Sequence, residues 1–103
     1  IGELADLKEF RAHDCSISGS IPSQVGKLYR LEVLDVSNNK LSSSLPDISQ
    51  LEKLTHLKIG GNVITGIVSN DNCELTKFSL EEFSADCAGY SPDIVCACCS
   101  ECL

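Results

Sequence analysis

Cysteine is the residue type whose number and spacing in this sequence could support covalent or metal chemistry. Of the seven cysteines, six lie in the C-terminal third: Cys73, Cys87, Cys96, Cys98, Cys99 and Cys102. Adjacent Cys98 and Cys99 would be strained as a pair, and we expect Cys73 and Cys87 each to bond to a cysteine within 96–102. The remaining connectivity stays open, because pairing cannot be deduced from spacing alone.

The same cysteine spacing also fits a zinc site, since Cys-x-Cys-Cys-x-x-Cys brings several thiolates close together. We favour disulfides because a short segment with little core is the kind of structure that cross-links stabilise in an oxidising compartment. The sequence therefore predicts a secretory, extracellular or cell-surface location, with an organelle lumen as the alternative.

The two histidines, His13 and His56, could in principle bind a metal or transfer protons. No phosphate loop, dinucleotide fingerprint or HExxH motif accompanies them, and Ser16 and Ser18 lack a glycine elbow. The acidic residues do not follow EF-hand spacing. We therefore predict a chain that is not an enzyme and that uses no cofactor or metal.

Charge divides the chain into two parts. The net charge is −7, from 15 acidic and 8 basic residues. Residues 1–68 contain 8 acids and 7 bases, whereas residues 69–103 contain 7 acids and only Lys77 as a base. Clustered Lys and Arg, which nucleic-acid binding requires, are absent from the sequence, and no apolar run is long enough to cross a membrane. We predict a repeat region over 1–68 and a Cys-rich cap over 69–103.

An internal repeat must position the cysteines, histidines and charged residues named above. The pattern Leu-x-x-Leu-x-Leu-x-x-Asn recurs over 7–15, 31–39 and 54–62, at offsets of 24 and 23 residues, with Cys15 in the first Asn place. A related Leu-x-x-Phe-x-Ala pattern occupies 80–85. Alternating apolar positions predict strands near residues 9–13, 33–37, 56–60 and 82–86, stacked in parallel around a leucine column.

This stacking also predicts the roles of the asparagines and of the seventh cysteine. Asn39 and Asn62 should satisfy backbone groups of neighbouring coils, because an amide side chain both donates and accepts. Cys15 should be a buried free thiol in the same row. At the other end, the last leucine layer should be covered by the apolar side chains of Leu75, Phe78, Leu80 and Phe83.

Residues 16–28, Ser-Ile-Ser-Gly-Ser-Ile-Pro-Ser-Gln-Val-Gly-Lys-Leu, resemble the second half of the plant-type, receptor-like leucine-rich repeat. The resemblance implies an α/β solenoid with a concave parallel β-sheet, short helical or 3-10 turns on the convex side that begin at Pro22 and Pro46, and a disulfide-bonded C-terminal cap. The Cys-rich end resembles caps of secreted or receptor-like leucine-rich repeat proteins of diatoms and related algae. Residues 1–7 match 25–31, so we expect the chain to open mid-repeat, with further repeats upstream.

In such a fold the outward strand residues line the concave face, which is the usual surface for a protein or peptide. The partner-binding candidates on this face are Glu9, Arg11, His13, Val33, Asp35, Ser37, His56, Lys58, Glu82 and Ser84. In one row Arg11, Asp35 and Lys58 alternate in sign, which predicts a lateral ion ladder; the alternative is a charged recognition strip. The function predicted is a non-catalytic protein or peptide recognition module, part of a larger protein; the alternative is a scaffold subunit held in a larger assembly without a ligand site of its own.

Overall fold

In a computed structural model, residues 7–89 and 93–103 are described, and the chain coils through short parallel strands in these ranges. The strands are β1 Glu9–Arg11, β2 Ser18–Ser20, β3 Val33–Asp35, β4 Lys40–Ser43, β5 His56–Lys58, β6 Val63–Ile64, β7 Gly66–Ile67, β8 Glu82–Ala85, β9 Ile94–Val95 and β10 Glu101–Cys102. The expectation that the chain opens mid-repeat depends on residues 1–6, which lie outside the described residues.

The first sheet has the strand order β1-β3-β5-β8-β10, and all its strand pairs are parallel. Its first four strands begin at or next to the predicted positions, and each is shorter than predicted. The register aligns Phe10 with Leu34, Leu34 with Leu57 and Leu57 with Phe83. Leu34 and Leu57 are 2% and 0% exposed, so the predicted leucine column forms the core.

Two further parallel sheets were not predicted. One has the order β2-β4-β6 and the other pairs β7 with β9. Their strands include the sequence Ser18-Gly19-Ser20, which has no apolar alternation. These strands form because stacking the coils brings their backbones into hydrogen-bonding range, whatever the side chains are.

The convex side turns at both places marked by proline, and a helix forms at one of them. A 3-10 helix, Ser23–Lys27, begins directly after Pro22. Directly after Pro46 the chain makes a single turn rather than a helix, with the Leu51 N–H bonded to the Ile48 carbonyl at 3.0 Å. There the Asp47 carboxylate accepts hydrogen bonds from the N–H and hydroxyl of Ser49, at 3.0 and 2.6 Å. This side-chain turn competes with helix formation.

The third coil does contain helices. A short α-helix, α1, spans Asn70–Cys73, with Ser69 as its N-cap, and a 3-10 helix follows over Glu74–Lys77. None of the helices within 7–89 and 93–103 has the length and apolar character needed to span a membrane.

The asparagine row forms as predicted. The Asn39 side-chain amide donates to the carbonyls of Ala12 and Val36, and its oxygen accepts from the N–H groups of Cys15 and Ile17. Each asparagine therefore hydrogen-bonds to backbone groups of its own coil and of the preceding coil. Stacked coils need this connection because their turns otherwise leave backbone groups unpaired.

Cys15 itself is a free thiol, as predicted, but it is exposed rather than buried. Its sulfur donates to the His13 carbonyl, 3.2 Å away. Among the described residues no coil lies on the outer side of Cys15, because β1 is the edge strand of its sheet. The prediction of burial assumed a covered position in the asparagine row.

The C-terminal cap is held by three disulfides, Cys73–Cys98, Cys87–Cys102 and Cys96–Cys99. Cys73 and Cys87 each bond to a cysteine within 96–102, as predicted. All three bonds lie within the predicted cap range, 69–103: the first two join Cys73 and Cys87 to the C-terminal segment 96–102, and the third closes a loop within that segment.

Beneath the cap, two of the four predicted covering side chains are buried: Leu75 and Phe83 are each 2% exposed. Leu80 packs partly against the core. Phe78 is 55% exposed, so it does not cover the last layer as predicted. It follows the end of the 3-10 helix, where the chain turns toward β8.

Candidate functional site

The concave face, meaning the outward side chains of β1, β3, β5 and β8 and of the turns after them, has the predicted rows. Glu9 aligns with Val33, Val33 with His56, and His56 with Glu82. A second row contains Arg11, Asp35, Lys58 and Ser84. Backbone hydrogen bonds from Asp14 to Ser37 and from Asn38 to Gly60 continue the alignment beyond the strands.

The ten candidate residues differ in accessibility. Glu9, Arg11 and His13 are exposed, and Ser37, His56, Lys58 and Glu82 are half-buried. Val33 and Asp35 are each 7% exposed, and Ser84 is 6% exposed. The structure therefore brings all ten onto one face, and seven of them present appreciable surface there.

Charges on this face pair differently from the predicted ladder. Arg11 Nε lies 3.1 Å from Glu9 Oε1, two residues away on the same strand. Lys58 Nζ lies 3.7 Å from Glu82 Oε1 on the next strand. Within 7–89 and 93–103, neither cation forms an ion pair with Asp35. The predicted ladder is replaced by two pairs, one within β1 and one between β5 and β8.

Asp35 accepts hydrogen bonds from Ser37, which lies just beyond the end of the same strand. Its Oδ1 accepts from the Ser37 N–H at 3.1 Å and from the Ser37 hydroxyl at 2.7 Å. Burial alone would raise the pKa of Asp35, but these two hydrogen bonds and the nearby His13 and Lys58 lower the pKa below its ordinary value. Asp35 is thus a fixed negative charge beneath the face.

The histidines are not brought together. His13 Nδ1 lies 3.0 Å from Asp14 Oδ2, beyond the end of β1. His56 lies on β5, with its Nε2 3.9 Å from Glu82 Oε2 and its Nδ1 2.9 Å from the Thr55 hydroxyl. In the described parts of the chain, no three His, Cys, Asp or Glu side chains are grouped so as to hold a metal ion.

Two residues of the face were missed by the sequence analysis, Glu101 and Leu103. Glu101 lies in β10, in register with Ser84, and so extends the second row by a fifth strand. The Leu103 side chain lies directly over Gly60, where a Cβ would clash with it. Cys102 was the sequence feature that could have predicted both positions, because the Cys87–Cys102 bond anchors β10 beside β8.

Comparison with known proteins agrees with this architecture. Residues 30–51 match the family model described as Leucine Rich Repeat. The leucine-rich-repeat ectodomain of the receptor kinase SOBIR1 from Arabidopsis thaliana matches with a TM-score of 0.73 and 27% sequence identity.

The chain has a leucine-rich-repeat fold. The solved ectodomain covers 81% of this chain, and the chain spans 44% of the ectodomain, which is less than half of that protein's length. No curated protein matches the sequence at a significant level. The two matches support a leucine-rich-repeat protein that is similar, over part of its length, to a plant receptor ectodomain.

Proposed function

We propose that this leucine-rich-repeat domain is a non-catalytic module that recognises a protein or peptide on its concave face. The observation that carries the proposal is the register of the first sheet. It places one side of β1, β3, β5 and β8 against the leucine core and aligns mostly polar side chains on the other side in continuous rows. Such rows offer a partner a regular array of hydrogen-bonding and charged groups.

The central part of the concave face is the best candidate contact. His56, Lys58 and Glu82 are all half-buried, and the Glu82 carboxylate lies 3.9 Å from His56 Nε2 and 3.7 Å from Lys58 Nζ. Partial burial limits side-chain motion, so a partner would order these groups at a smaller entropic cost than fully exposed ones.

We also propose that the domain, with repeats over 1–68 and a cap over 69–103, is part of a larger secreted or cell-surface protein. The three disulfides support an oxidising destination, and the similar ectodomain is a receptor domain of greater length. In this setting the cap closes the leucine core at one end of the solenoid.

A scaffold role is the second candidate, and one observation favours it. The charged side chains of the concave face already satisfy one another, as Arg11 does with Glu9 and Lys58 with Glu82. Among the described residues of the face there is also no exposed aromatic anchor of the kind that dominates tight interfaces. A scaffold would use the solenoid as a rigid spacer, without a ligand for these rows.

The two candidates are separated by a binding screen. Immobilised domain is tested by interferometry against the secreted proteins and receptor ectodomains of the source organism. His56→Ala and Lys58→Ala should each weaken binding of a hit by about tenfold, a typical loss for a central contact. The exposed turn pair Glu52→Ala and Lys53→Ala, outside the face, serves as control. Hits that lose equal affinity in both sets, or no hits, would favour the scaffold role.

A further inference from the structure

The β7–β9 sheet has one side in the core and the other side open to solvent. Its register aligns Gly66 with Ile94 and Ile67 with Val95. Ile94 is 2% exposed, whereas Ile67 is 75% exposed and Val95 is 52% exposed. Successive side chains of a strand point to opposite faces, so Ile67 and Val95 lie next to each other on the outer face of this sheet.

The exposed apolar surface continues from β7 back into β6. Val63 is 57% exposed, whereas the next residue, Ile64, is 1% exposed, and Thr65 and Ile67 are exposed in turn. This alternation is that of an extended segment with one face in the core. We name Val63, Ile67 and Val95 the flank patch, since all three lie on the outer side of these short strands.

The exposure of the flank patch does not depend on where the solenoid begins or ends. Neighbouring coils join through backbone hydrogen bonds between strand edges, as the coils of a solenoid do. A further coil would therefore extend the sheets sideways and leave their outer faces uncovered. Isolated exposed apolar side chains are ordinary, but contiguous ones beside polar groups are typical of interaction surfaces.

Acidic side chains accompany the flank patch. The Asp93 carbonyl accepts a hydrogen bond from the Gly66 N–H at 3.1 Å, so Asp93 lies beside β7. Its side chain is exposed and, two residues before Val95, points to the same outer face. Asp71, which is also exposed, lies in α1, the element that directly follows β7 in the chain.

These two carboxylates carry charge that the chain does not neutralise. Within 7–89 and 93–103, neither Asp71 nor Asp93 forms an ion pair. Residues 69–103 contain seven acids and only Lys77 as a base, and Lys77 Nζ already lies 2.7 Å from Glu74 Oε2. The cations of a partner would therefore meet carboxylates for which no cation of the cap competes.

We propose that the flank patch binds a segment of another protein in which Lys or Arg stands beside apolar side chains. Burial of Val63, Ile67 and Val95 drives the association, and the unpaired carboxylates select basic neighbours over acidic ones. A second copy of the chain is a poor occupant, because the contact would bring two acidic caps together. The surface is separate from the concave face, since β6, β7 and β9 all lie outside the first sheet.

A peptide selection tests the proposal without knowledge of the natural partner. A random peptide library displayed on phage is selected on the immobilised 103-residue chain with its disulfides intact. Peptides that also bind the folded double variant Ile67→Ser with Val95→Ser are removed. We expect the enriched peptides to combine Val, Ile, Leu or aromatic residues with Lys or Arg. No enrichment, or enrichment of acidic or wholly polar peptides, overturns the proposal.

Single substitutions then place the enriched peptides on the patch. Ile67→Ser and Val95→Ser should each weaken binding of the synthesised peptides by about tenfold or more. Asp93→Asn should weaken it by about threefold and reduce its dependence on salt. Phe78→Ser is the matched apolar control, because Phe78 is 55% exposed and lies outside these strands. Glu52→Gln, on an exposed turn, is the matched charge control.

Circular dichroism and thermal unfolding establish that each variant is folded. Equal weakening by either control overturns the proposal. Loss of peptide binding in His56→Ala also overturns it, and would leave the proposed concave-face function standing. Sedimentation equilibrium of the chain alone and flotation with neutral phosphatidylcholine vesicles test the other occupants. A dimer, or vesicle binding, that Ile67→Ser abolishes assigns the patch to a second copy or to a membrane and overturns the proposal.

Discussion

The side-chain amide of Asn62 donates to the carbonyl of Val36, 3.0 Å away and 26 positions earlier in the chain. The same amide donates to Ile59 within its own coil, and its oxygen accepts from the Leu41 N–H. One buried side chain thus ties two coils together. Asp86, the residue in the corresponding region of the last coil, accepts from the N–H groups of Gly61 and Asn62.

Asn62→Ala should therefore destabilise the fold by about 1–3 kcal/mol, because it leaves buried backbone groups without partners. Asn39→Ala should cost a similar amount for the same reason. Urea unfolding, followed by circular dichroism, measures both losses. Gln50→Ala, at an exposed turn, is the control. Unchanged denaturation midpoints for both asparagine variants would contradict this role.

Leu34→Ala and Leu57→Ala should each cost about 2–5 kcal/mol, since each leaves a cavity in the leucine column. Ile67, which is 75% exposed, supplies the matched control of an apolar truncation outside the core. Ile67→Ala should change the free energy of unfolding by less than about 0.5 kcal/mol. Similar losses at all three positions would show that the column is not the core.

Mass spectrometry of the unreduced, denatured chain should find the bonds Cys73–Cys98, Cys87–Cys102 and Cys96–Cys99, with only Cys15 open to alkylation. Seven free thiols would contradict the disulfides, and a stoichiometric zinc ion whose removal by a chelator unfolds the chain would indicate a metal site instead.

The cap disulfides should also differ in how much each contributes to the free energy of unfolding. Their sequence separations are 25 residues for Cys73–Cys98 and 3 for Cys96–Cys99. In the chain-entropy description, the long loop contributes about 3.5 kcal/mol and the short loop about 2 kcal/mol. Paired Cys→Ser variants compared by urea unfolding test this order, and a reversed order would show that native contacts around the loop dominate.

Asp35 should make the fold sensitive to acid. Its pKa is lowered in the folded chain, so its stabilising contribution is present above the ordinary Asp pKa of 3.8 and is lost as the pH falls through the lower, folded value. Ser37→Ala removes the hydroxyl donor and should raise the pKa of Asp35. Carboxyl NMR titration measures the pKa directly, and an unchanged titration in Ser37→Ala would show that the Ser37 hydroxyl does not lower the pKa of Asp35.

Substitution by alanine should reduce stability by different amounts at two glycines. A Cβ at Gly26 would clash with the backbone carbonyl of Asp47, whereas a Cβ at Gly60 would clash with the flexible tip of Leu103. Gly26→Ala should therefore cost about 1–3 kcal/mol because the backbone must shift. Gly60→Ala should cost less and should speed exchange of the Leu103 amide, which donates to Ala85. Equal stability losses would contradict the distinction.

The spacing of leucines and asparagines determined the main architecture. Apolar positions recur at 24 and 23 residues, and each recurrence must place the same side chain in the same layer, because stacked coils share one core. Strand positions, the alignment of Phe10, Leu34 and Leu57, and the bonding of Asn39 and Asn62 all follow from this periodicity. The polar rows of the concave face follow too, since strand side chains alternate between the two faces.

Tertiary structure alone decided the features that depend on contacts between distant or non-repeating segments. Spacing could not choose Cys98 over Cys99 as the partner of Cys73, because both lie in one short segment and only the path of the cap separates them. The Ser18–Ser20 strand carries no apolar pattern, so its pairing with Lys40–Ser43 arises from the stacking of coil backbones. Cys15 is exposed because no described strand lies on the outer side of β1, and Glu101 and Leu103 reach the concave face because the Cys87–Cys102 bond anchors β10 beside β8.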